Sequence, residues 1–345
     1  MRYKLMGNTG LKVSELCLGT MSFGTKWGFG ADEDESLRVA AAYADAGGNF
    51  LDTANKYHEG ETEEFVAKVI AERRDRWVVA TKYTLAMTSG DPNSAGNSRK
   101  NMVQAVEHSL RRLGTDYIDL LWVHAWDFTT GVEEVMRGLE NLTRAGKVVY
   151  LGISDAPAWI VSQANTIAQL RGWTPFSALQ IEHSLIERTV ERELTPMARA
   201  FDLTVTPWGP IAGGVLTGKY TRHAEPQDTK RSGGNQNRLT ETNLAIAREV
   251  DAVADELGKS SAQVALNWVL RSGPNVVPIV GARKVSQIQD LIGATEFSLS
   301  EAHRQRLDDK SAIALGFPHD FVHRPGIRNI IFSDVHEQVD LPLFS

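Results

Sequence analysis

The sequence predicts an α/β fold of the (β/α)8 TIM-barrel class, with an N-terminal β-hairpin cap and a C-terminal extension. Short apolar runs that predict eight strands cover residues 15–19, 49–52, 77–82, 118–124, 148–154, 178–182, 203–208 and 276–280. Helical patterns accompany them at residues 34–46, 63–72, 100–113, 132–145, 158–170, 189–201, 244–257 and 262–271. A strand followed by a helix, repeated along the chain, is typical of a parallel sheet covered by helices. Periodicity leaves an open doubly wound sheet as the alternative.

The chain begins with a predicted hairpin that stands outside this repeat. Residues 3–5 and 13–16 flank Gly7-Asn8-Thr9-Gly10, whose composition is typical of a turn. We expect this hairpin to cap the bottom of the barrel.

The predicted helices carry an apolar stripe and stop signals. In the third helix, apolar residues recur at helical spacing on one stripe: Val103, Val106, Leu110 and Leu113. Glycines, which are frequent just beyond helix C-termini, follow several helices: Gly47, Gly48, Gly114, Gly146, Gly172 and Gly258.

We expect one domain over residues 1–345, of which residues 312–345 form a C-terminal tail without a clear period. The tail either folds over the pocket or packs against a second subunit. Residues 221–238 follow the seventh strand and are rich in Gly, Asn, Gln, Asp and charge. Such a long connection is typical of a lid, although the composition fits equally well with a loop that has no function.

Composition narrows the class of protein. Hydrophobic residues make up 42% of the 345 residues and charged residues 23%, which is ordinary for a soluble globular enzyme. The net charge of -6 argues against nucleic acid or an anionic membrane as the main partner. The single cysteine, Cys17, excludes an internal disulfide framework, and no apolar run is long enough for a signal peptide or a membrane span. We therefore expect a cytoplasmic protein, and the number of subunits, a homo-oligomer included, stays open.

Four residues with matching chemistry lie near the ends of successive strands. Asp52, Lys82 and His124 end the second, third and fourth predicted strands, and Tyr57 follows in a loop on the same face, where barrels build their active sites. A lysine ammonium lowers the pKa of a nearby tyrosine, which is ordinarily about 10. Asp52 would hold Lys82, and His124 would orient a carbonyl oxygen or help relay the proton. Singly, these residues also fit structural roles, but together they predict proton donation to oxygen as hydride arrives at carbon.

Aromatic residues in the predicted loops at the same face are Trp27, Phe29, Trp126 and Phe128. They favour an apolar substrate pocket, because aromatic side chains line many small-molecule sites. We expect that Trp27 and Trp126, with Tyr57 and His124, line this pocket. His319 and His323, four residues apart, lack further ligands nearby, so we expect no metal site.

The motifs resemble those of a known family. Residues 48–57, Gly-Asn-Phe-Leu-Asp-Thr-Ala-Asn-Lys-Tyr, with Thr62-Glu63 after them, look like the hallmark of the aldo-keto reductases. Residues 119–127 are similar to that family's histidine strand, and the further motifs lie at residues 152–155, 179–182, 207–220 and 278–283. The likeness runs from about residue 2 to residue 310. It is strongest for the bacterial branch that also resembles potassium-channel β subunits.

This resemblance implies a catalytic tetrad of Asp52, Tyr57, Lys82 and His124, and the cofactor NADPH or NADP+. Ser154, Asp155 and Gln180 would hold the nicotinamide carboxamide, and Trp208 would stack on the ring. The other residues implied at the cofactor, besides Asp52, are Gly19, Thr20 and Met21 along the cleft, Gly209, Pro210, Ile211, Gly213, Leu216 and Lys219 at the pyrophosphate, and Gly281, Arg283, Gln287 and Asp290 at the adenosine end. Three positions depart from the family's pattern: His58 replaces a glycine, and Asp155 and Leu291 each replace an asparagine.

Arg283 also has a physical argument of its own. It follows the eighth strand, where barrels often build phosphate sites, and a guanidinium can grip a 2′-phosphate through paired hydrogen bonds. This position favours NADPH over NADH. No Gly-x-Gly-x-x-Gly follows a strand, so a Rossmann site is unsupported.

The predicted function is reversible reduction of an aldehyde or ketone to the alcohol, with hydride from nicotinamide C4 and the proton from Tyr57. The substrate would be an aromatic, cyclic, sugar-derived or xenobiotic carbonyl compound, and neither nucleic acid nor a membrane is expected as a partner. One alternative is a regulatory subunit that retains the cofactor and senses redox state, similar to channel β subunits. Another is an unrelated barrel, such as a phosphate-handling isomerase or a metal-dependent hydrolase.

Overall fold

The computed structural model describes residues 1–222, 235–333 and 335–339. Within them, eight parallel strands form one sheet in the order β10-β3-β4-β5-β6-β7-β8-β9. These strands are β3 (Cys17–Gly19), β4 (Phe50–Asp52), β5 (Val78–Tyr83), β6 (Ile118–Val123), β7 (Val148–Ser154), β8 (Phe176–Glu182), β9 (Thr204–Trp208) and β10 (Ile279–Gly281). The eight predicted strands correspond to them with shifts of a few residues at the ends.

The sheet closes on itself where the chain approaches β10. The backbone N–H of Val205 donates to the carbonyl of Asn275 at 2.8 Å, and the N–H of Val277 donates back to the carbonyl of Val205 at 2.8 Å. A parallel bridge between Val205 and Val276 accompanies these bonds. The (β/α)8 barrel is therefore confirmed and the open doubly wound sheet is excluded, because an open sheet would leave its two outer strands unpaired.

The N-terminal hairpin caps the bottom of the barrel, as predicted. Strands β1 (Tyr3–Leu5) and β2 (Lys12–Ser14) pair antiparallel. In the turn between them, the N–H of Gly7 donates to the Thr204 hydroxyl at 2.6 Å, at the first residue of β9. Gly7 has a φ of +51°, and a Cβ there would lie 2.4 Å from the carbonyl oxygen of Ser177. The hairpin thus touches the barrel backbone through a residue that must lack a side chain.

Helices cover the outside of the barrel. Those that the described residues contain before the tail are α1 (Glu33–Asp45), α2 (Glu61–Ile70), α3 (Arg99–Leu113), α4 (Val132–Arg144), α5 (Ala158–Arg171), α6 (Leu194–Ala200), α7 (Glu241–Leu257), α8 (Ser261–Leu270), α9 (Val285–Ile292) and α10 (Glu301–Lys310). The last two were not predicted. On α3 the buried face runs through Met102, Val106 and Leu113. Val103, which the sequence placed on the apolar stripe, is 41% exposed and lies off this face.

The predicted helix at residues 189–201 is instead divided in two. A short 3-10 turn (Thr189–Glu191) precedes α6. A single helix from residue 189 would place Pro196 in its interior, where proline removes a backbone hydrogen bond and clashes with the preceding turn. In α6, Pro196 falls in the first turn, where its missing N–H costs little.

The tail folds into two short helices, α11 (His319–Val322) and α12 (Pro325–Phe332), although its sequence shows no clear period. Its start is tied to the segment after β8, since the guanidinium of Arg192 donates to the carbonyl of Ala314 at 2.9 Å. The connection at residues 221–238, predicted as a lid or a loop without function, consists mainly of residues 223–234, which lie outside the described residues.

Replacement of Gly7 tests the contact between the hairpin and the barrel. We expect Gly7→Ala to lower the free energy of unfolding by roughly 1–3 kcal/mol, through the left-handed backbone and the clash with Ser177. Gly10→Ala in the same turn is the matched control, because no atom lies within 4 Å of a Cβ there. Denaturant unfolding of both variants measures the difference, and equal stability of the two would contradict the proposed contact.

Candidate active site

The register of the parallel strands brings ionisable side chains together at the C-terminal end of the barrel. Asp52 is the last residue of β4, and Lys82 lies near the end of the adjacent β5. His124 directly follows β6, and Tyr57 begins a 3-10 turn (Tyr57–Gly60) after β4. The residue types and the strand spacing seen in the sequence therefore correspond to one cluster in space.

A buried lysine connects the members of this cluster. The Nζ atom of Lys82, which is 0% exposed, donates to Asp52 Oδ2 at 2.5 Å, to the Thr53 carbonyl at 2.9 Å and to the Tyr57 hydroxyl at 3.0 Å. The second oxygen of Asp52, Oδ1, accepts a hydrogen bond from Gln180 Nε2 at 3.0 Å. The ammonium and the carboxylate therefore have hydrogen-bond partners on several sides, as buried charges require.

The surroundings keep the Tyr57 hydroxyl protonated. Desolvation raises the pKa of Tyr57 above its ordinary value, and the Lys82 ammonium acts in the opposite direction without overcoming it. The predicted lowering is therefore wrong in its net direction, although Lys82 does favour the phenolate. Desolvation opposes the charge of Lys82 itself, but Asp52 and Tyr57 together raise its pKa.

His124 is a neutral imidazole beside this cluster. Desolvation, with the repulsion from the Lys82 ammonium, lowers the pKa of His124 well below its ordinary value. Its ring meets the ring of Tyr57 edge to face, with the ring centroids 6.1 Å apart. A neutral imidazole at this place can donate a hydrogen bond through its one N–H.

A single cavity of about 1080 Å³ joins this cluster to the end of β10. Its lining contains most of the residues that the sequence singled out, namely Gly19, Met21, Trp27, Phe29, Asp52, Tyr57, His124, Ser154, Asp155, Gln180, Trp208, Gly209, Pro210, Ile211, Gly213, Lys219, Gly281, Arg283, Gln287, Asp290 and Leu291. A cavity of this volume, lined from the Lys82 cluster to the end of β10, suits an extended molecule with a second one beside it.

Three residues expected at the cavity lie elsewhere. Trp126 is 8% exposed because its ring packs in the hydrophobic core, and its backbone N–H donates to the Asp155 carbonyl at 3.3 Å. Thr20 is fully buried and donates its hydroxyl proton to the Asp52 carbonyl at 2.9 Å. Leu216 is a core residue. The expectation that Trp126 forms a pocket wall is thereby corrected.

Several residues that the sequence did not single out also line the cavity. Asn235 donates to the Gly213 carbonyl at 2.8 Å, and Arg238 pairs with Glu182 at the end of β8. Both lie at the end of residues 221–238, the connection predicted as a lid or a loop without function, and no motif there marks them individually. Ser260, by contrast, starts a Ser-x-x-Gln capping box at α8, a signal that could have placed it at a helix N-terminus.

Polar side chains lie near Trp208 in the lining of the cavity. The hydroxyl of Ser154 is buried and, among the described residues, has no hydrogen-bond partner. Asp155, in the left-handed region at a φ of +42°, accepts a hydrogen bond from the indole nitrogen of Trp208 at 3.2 Å. Desolvation raises the pKa of the Asp155 carboxyl. An unpartnered buried hydroxyl next to an oriented indole fits a planar polar group such as a carboxamide.

The sequence matches one family model over most of its length, from residue 15 to residue 312, and that model describes the Aldo/keto reductase family. The chain belongs to this family. The aldo/keto reductase is similar to norsolorinic acid reductase of Aspergillus flavus, at 39% identity over 328 residues that cover 92% of this chain and 83% of that protein. It is also similar to the aryl-alcohol dehydrogenase (NADP(+)) of Phanerodontia chrysosporium, at 39% identity over 339 residues, or 92% and 87% of the two chains.

A third relative, aldo-keto reductase ausK of Emericella nidulans, is 36% identical over 336 residues, which cover 92% of this chain and 84% of that protein. These matches confirm the resemblance to the family and support an oxidoreductase that acts on carbonyl groups. The predicted place of this aldo/keto reductase in the branch similar to channel β subunits stays a prediction.

Two further properties concern the described part of the aldo/keto reductase. None of its helices there combines the length and the apolar character needed to cross a membrane. The same residues hold no group of three His, Cys, Asp or Glu side chains suited to a metal ion. His319 instead lies against Glu193, with Nε2 and Oε1 3.0 Å apart.

Removal of the Asp52 charge tests the buried pair. We expect Asp52→Asn to lower the free energy of unfolding by about 3–5 kcal/mol, because the Lys82 ammonium would stay buried without its counter-charge. Glu107→Gln, which breaks the partly exposed pair with Lys147, should cost at most about 1 kcal/mol. Thermal and denaturant unfolding of both variants provide the comparison, and similar costs would show that the Asp52 pair is not the stronger one.

Proposed function

We propose that this aldo/keto reductase reduces an aldehyde or ketone to the alcohol with NADPH, in a reversible reaction in which Tyr57 supplies the proton. One observation carries the proposal. Tyr57 lines the cavity, and its hydroxyl lies 3.0 Å from a buried ammonium, that of Lys82, which is in turn paired with Asp52. This arrangement suits transfer of a proton to a newly formed alkoxide.

Four side chains have different roles at the carbonyl oxygen. As the carbonyl carbon is reduced, negative charge develops on its oxygen, and the protonated Tyr57 hydroxyl donates its proton there. The phenolate that remains is stabilised by the Lys82 ammonium, whose own charge is offset by Asp52. The neutral ring of His124 can orient the carbonyl oxygen by a hydrogen bond before and during the transfer.

The residues along the cavity fit an extended nicotinamide cofactor, which when bound would supply the hydride from its C4. Ser154, whose buried hydroxyl is unpartnered within the described chain, would hold the carboxamide with Asp155 and Gln180. Trp208, oriented by Asp155, would pack against the ring. The name of the Phanerodontia chrysosporium relative, an aryl-alcohol dehydrogenase (NADP(+)), supports NADP rather than NAD.

The opposite end of the cavity supports the same choice of cofactor. Arg283 lines it two residues after β10, and α9 begins at Val285 just beyond. A guanidinium and a helix N-terminus together form an anion site of the kind that a 2′-phosphate needs. Gln287 accepts a hydrogen bond from the Arg283 backbone at 2.9 Å and so fixes the local turn.

We propose an aromatic carbonyl compound as the substrate, among the aromatic, cyclic, sugar-derived and xenobiotic classes. The rings of Trp27 and Phe29 line the cavity beside Tyr57 and offer an apolar wall. Aryl-alcohol dehydrogenase and norsolorinic acid reductase, the names of two relatives, are consistent with such a substrate. We place the protein in the cytoplasm, in keeping with its single buried thiol at Cys17.

Loss of the Tyr57 hydroxyl tests the proposed proton donor. We expect Tyr57→Phe to lower kcat for aldehyde reduction by about 10²–10⁴-fold, since only the acid is removed. The Kd for NADPH, measured by quenching of tryptophan fluorescence, should change less than about twofold. Tyr150→Phe on β7, away from the cavity lining, is the control and should keep full activity.

Wild-type protein that binds NADPH but oxidises it with no carbonyl compound in a broad panel would contradict the reductase. That result would favour the regulatory subunit that retains its cofactor. Full kcat in Tyr57→Phe would contradict only the role of Tyr57 as the proton donor, and the proposed carbonyl reduction would stand.

Loss of the Arg283 guanidinium tests the preference for NADPH. We expect Arg283→Ala to raise the Kd for NADPH by about 10–100-fold, which is the usual effect of removing a charge-assisted hydrogen bond. The Kd for NADH, which lacks the 2′-phosphate, should change less than about twofold. Arg171→Ala, which removes a largely exposed guanidinium on α5, serves as the control. Equal losses of affinity for NADPH and NADH would contradict the proposed contact between Arg283 and the 2′-phosphate.

A further inference from the structure

The turn that follows Tyr57 has an unusual backbone. His58, Glu59 and Gly60 are all left-handed, with φ values of +48°, +57° and +93°. For residues other than glycine this conformation costs on the order of 1 kcal/mol each, so it persists only where surrounding contacts impose it. His58 stands where the family's pattern has glycine, which shows that a side chain is tolerated there despite the strain.

The contacts of His58 explain why. Its ring is fully buried and stacks on the indole of Trp27, with ring centroids 4.7 Å apart and planes 23° apart. Phe29 meets the same ring edge-on at 5.6 Å. The Nδ1 atom of His58 accepts from the backbone N–H of Trp27 at 3.3 Å, and Nε2 lies 3.1 Å from the Met21 carbonyl. These two bonds assign the neutral ring with its proton on Nε2, which donates to Met21.

Neighbouring residues of the turn hold the same segment. Glu59 accepts a hydrogen bond from the indole nitrogen of Trp27 at 3.2 Å, and Glu61 accepts one from the backbone of Thr25 at 2.7 Å. Gly24, at a φ of +133°, lies so close that a Cβ there would be 2.5 Å from the His58 ring. The loop of residues 21–29 is therefore fastened to residues 58–61 by side chains from the turn.

These contacts fix the position of Trp27 and Phe29, which together form the aromatic wall of the cavity. The ring of Trp27 meets the ring of Tyr57 edge to face, with centroids 6.1 Å apart, and both line the cavity. Trp27 thus has His58 on one side and the cavity next to Tyr57 on another. A ring that is already fixed can stack on a flat ligand without first losing its own freedom.

We propose that His58 is a positioning residue that holds Trp27 as a fixed wall beside Tyr57 and thereby sets a preference for flat aromatic carbonyl compounds over small aliphatic ones. The inference rests on the proposed carbonyl reduction and names the residue that selects its substrate class. His58 itself lies behind the wall, so it acts through Trp27 and not on the reacting atoms.

The test compares 2-naphthaldehyde with pentanal at saturating NADPH. In His58→Gly, which suits the left-handed backbone, we expect kcat/KM for 2-naphthaldehyde to fall about tenfold, mainly through KM. The values for pentanal and the Kd for NADPH should change less than twofold. His58→Asn, which also tolerates this backbone and keeps an acceptor for the Trp27 N–H, should recover part of the loss.

Hydrogen exchange gives a readout that does not depend on turnover. Amides of residues 24–31 should exchange faster in His58→Gly, and those of the strands that carry Asp52 and Lys82 should not. Asp202→Gly is the matched control, because Asp202 is also left-handed, at a φ of +52°, but lies at the opposite end of the barrel just before β9. It should leave both selectivity and exchange of residues 24–31 unchanged.

Each outcome decides something. An equal loss for both aldehydes in His58→Gly, or no loss for either, would overturn the positioning role. Wild-type protein that reduces both aldehydes with the same kcat/KM would overturn the substrate preference while leaving carbonyl reduction intact. Wild-type protein that reduces neither would count against the proposed function itself, and the inference would fall with it.

Discussion

The ion pair between Lys82 and Asp52 is the constraint on which the rest of the site depends. Both charges are almost fully withdrawn from solvent, so each needs several polar partners at hydrogen-bond distance. Two of those partners lie close to Asp52 in the sequence, namely the carbonyl of Thr53 and the hydroxyl of Tyr57, whereas the amide of Gln180 comes from β8. Because β8 stands far from β4 in the strand order, only a closed barrel brings Gln180 to Asp52. Assembly of the site therefore requires that the sheet closes into a barrel.

Much of this could be predicted from the sequence, for a definite reason. Parallel strands of a barrel end on the same face, so residues at strand ends, such as Asp52 and His124, converge even when tens of residues separate them. Features set by burial were not accessible in this way. The pKa of Tyr57 depends on how far the residue is desolvated, and the position of Trp126 depends on how its ring packs in the core. Neither leaves a periodic trace in the sequence.

Elements were missed where local signals compete. The periodicity at residues 189–201 was compatible with one helix, and only the cost of an interior proline at Pro196 divides it. Helix α9 does carry apolar residues at helical spacing, Val285, Ile288 and Leu291, but it is only eight residues long, and α10 buries only Leu307. Asn235 and Arg238 reach the cavity from a connection without any recognisable motif. The position of such residues depends on the tertiary structure and not on a local sequence pattern.

The fastening of one loop to another has a consequence for how the protein can change. The acid and its supporting charges sit on strands or directly beside them, whereas the aromatic wall belongs to residues 21–29 and is held from residues 58–61. In the proposed function, chemistry and selectivity are thus encoded largely in separate stretches of sequence, although Tyr57 and His58 share one turn. An engineer who exchanges both stretches together, as one cassette, alters the shape of the entrance while the barrel and its proton donor stay as they are. Exchange of only one stretch would break the match between Trp27 and His58.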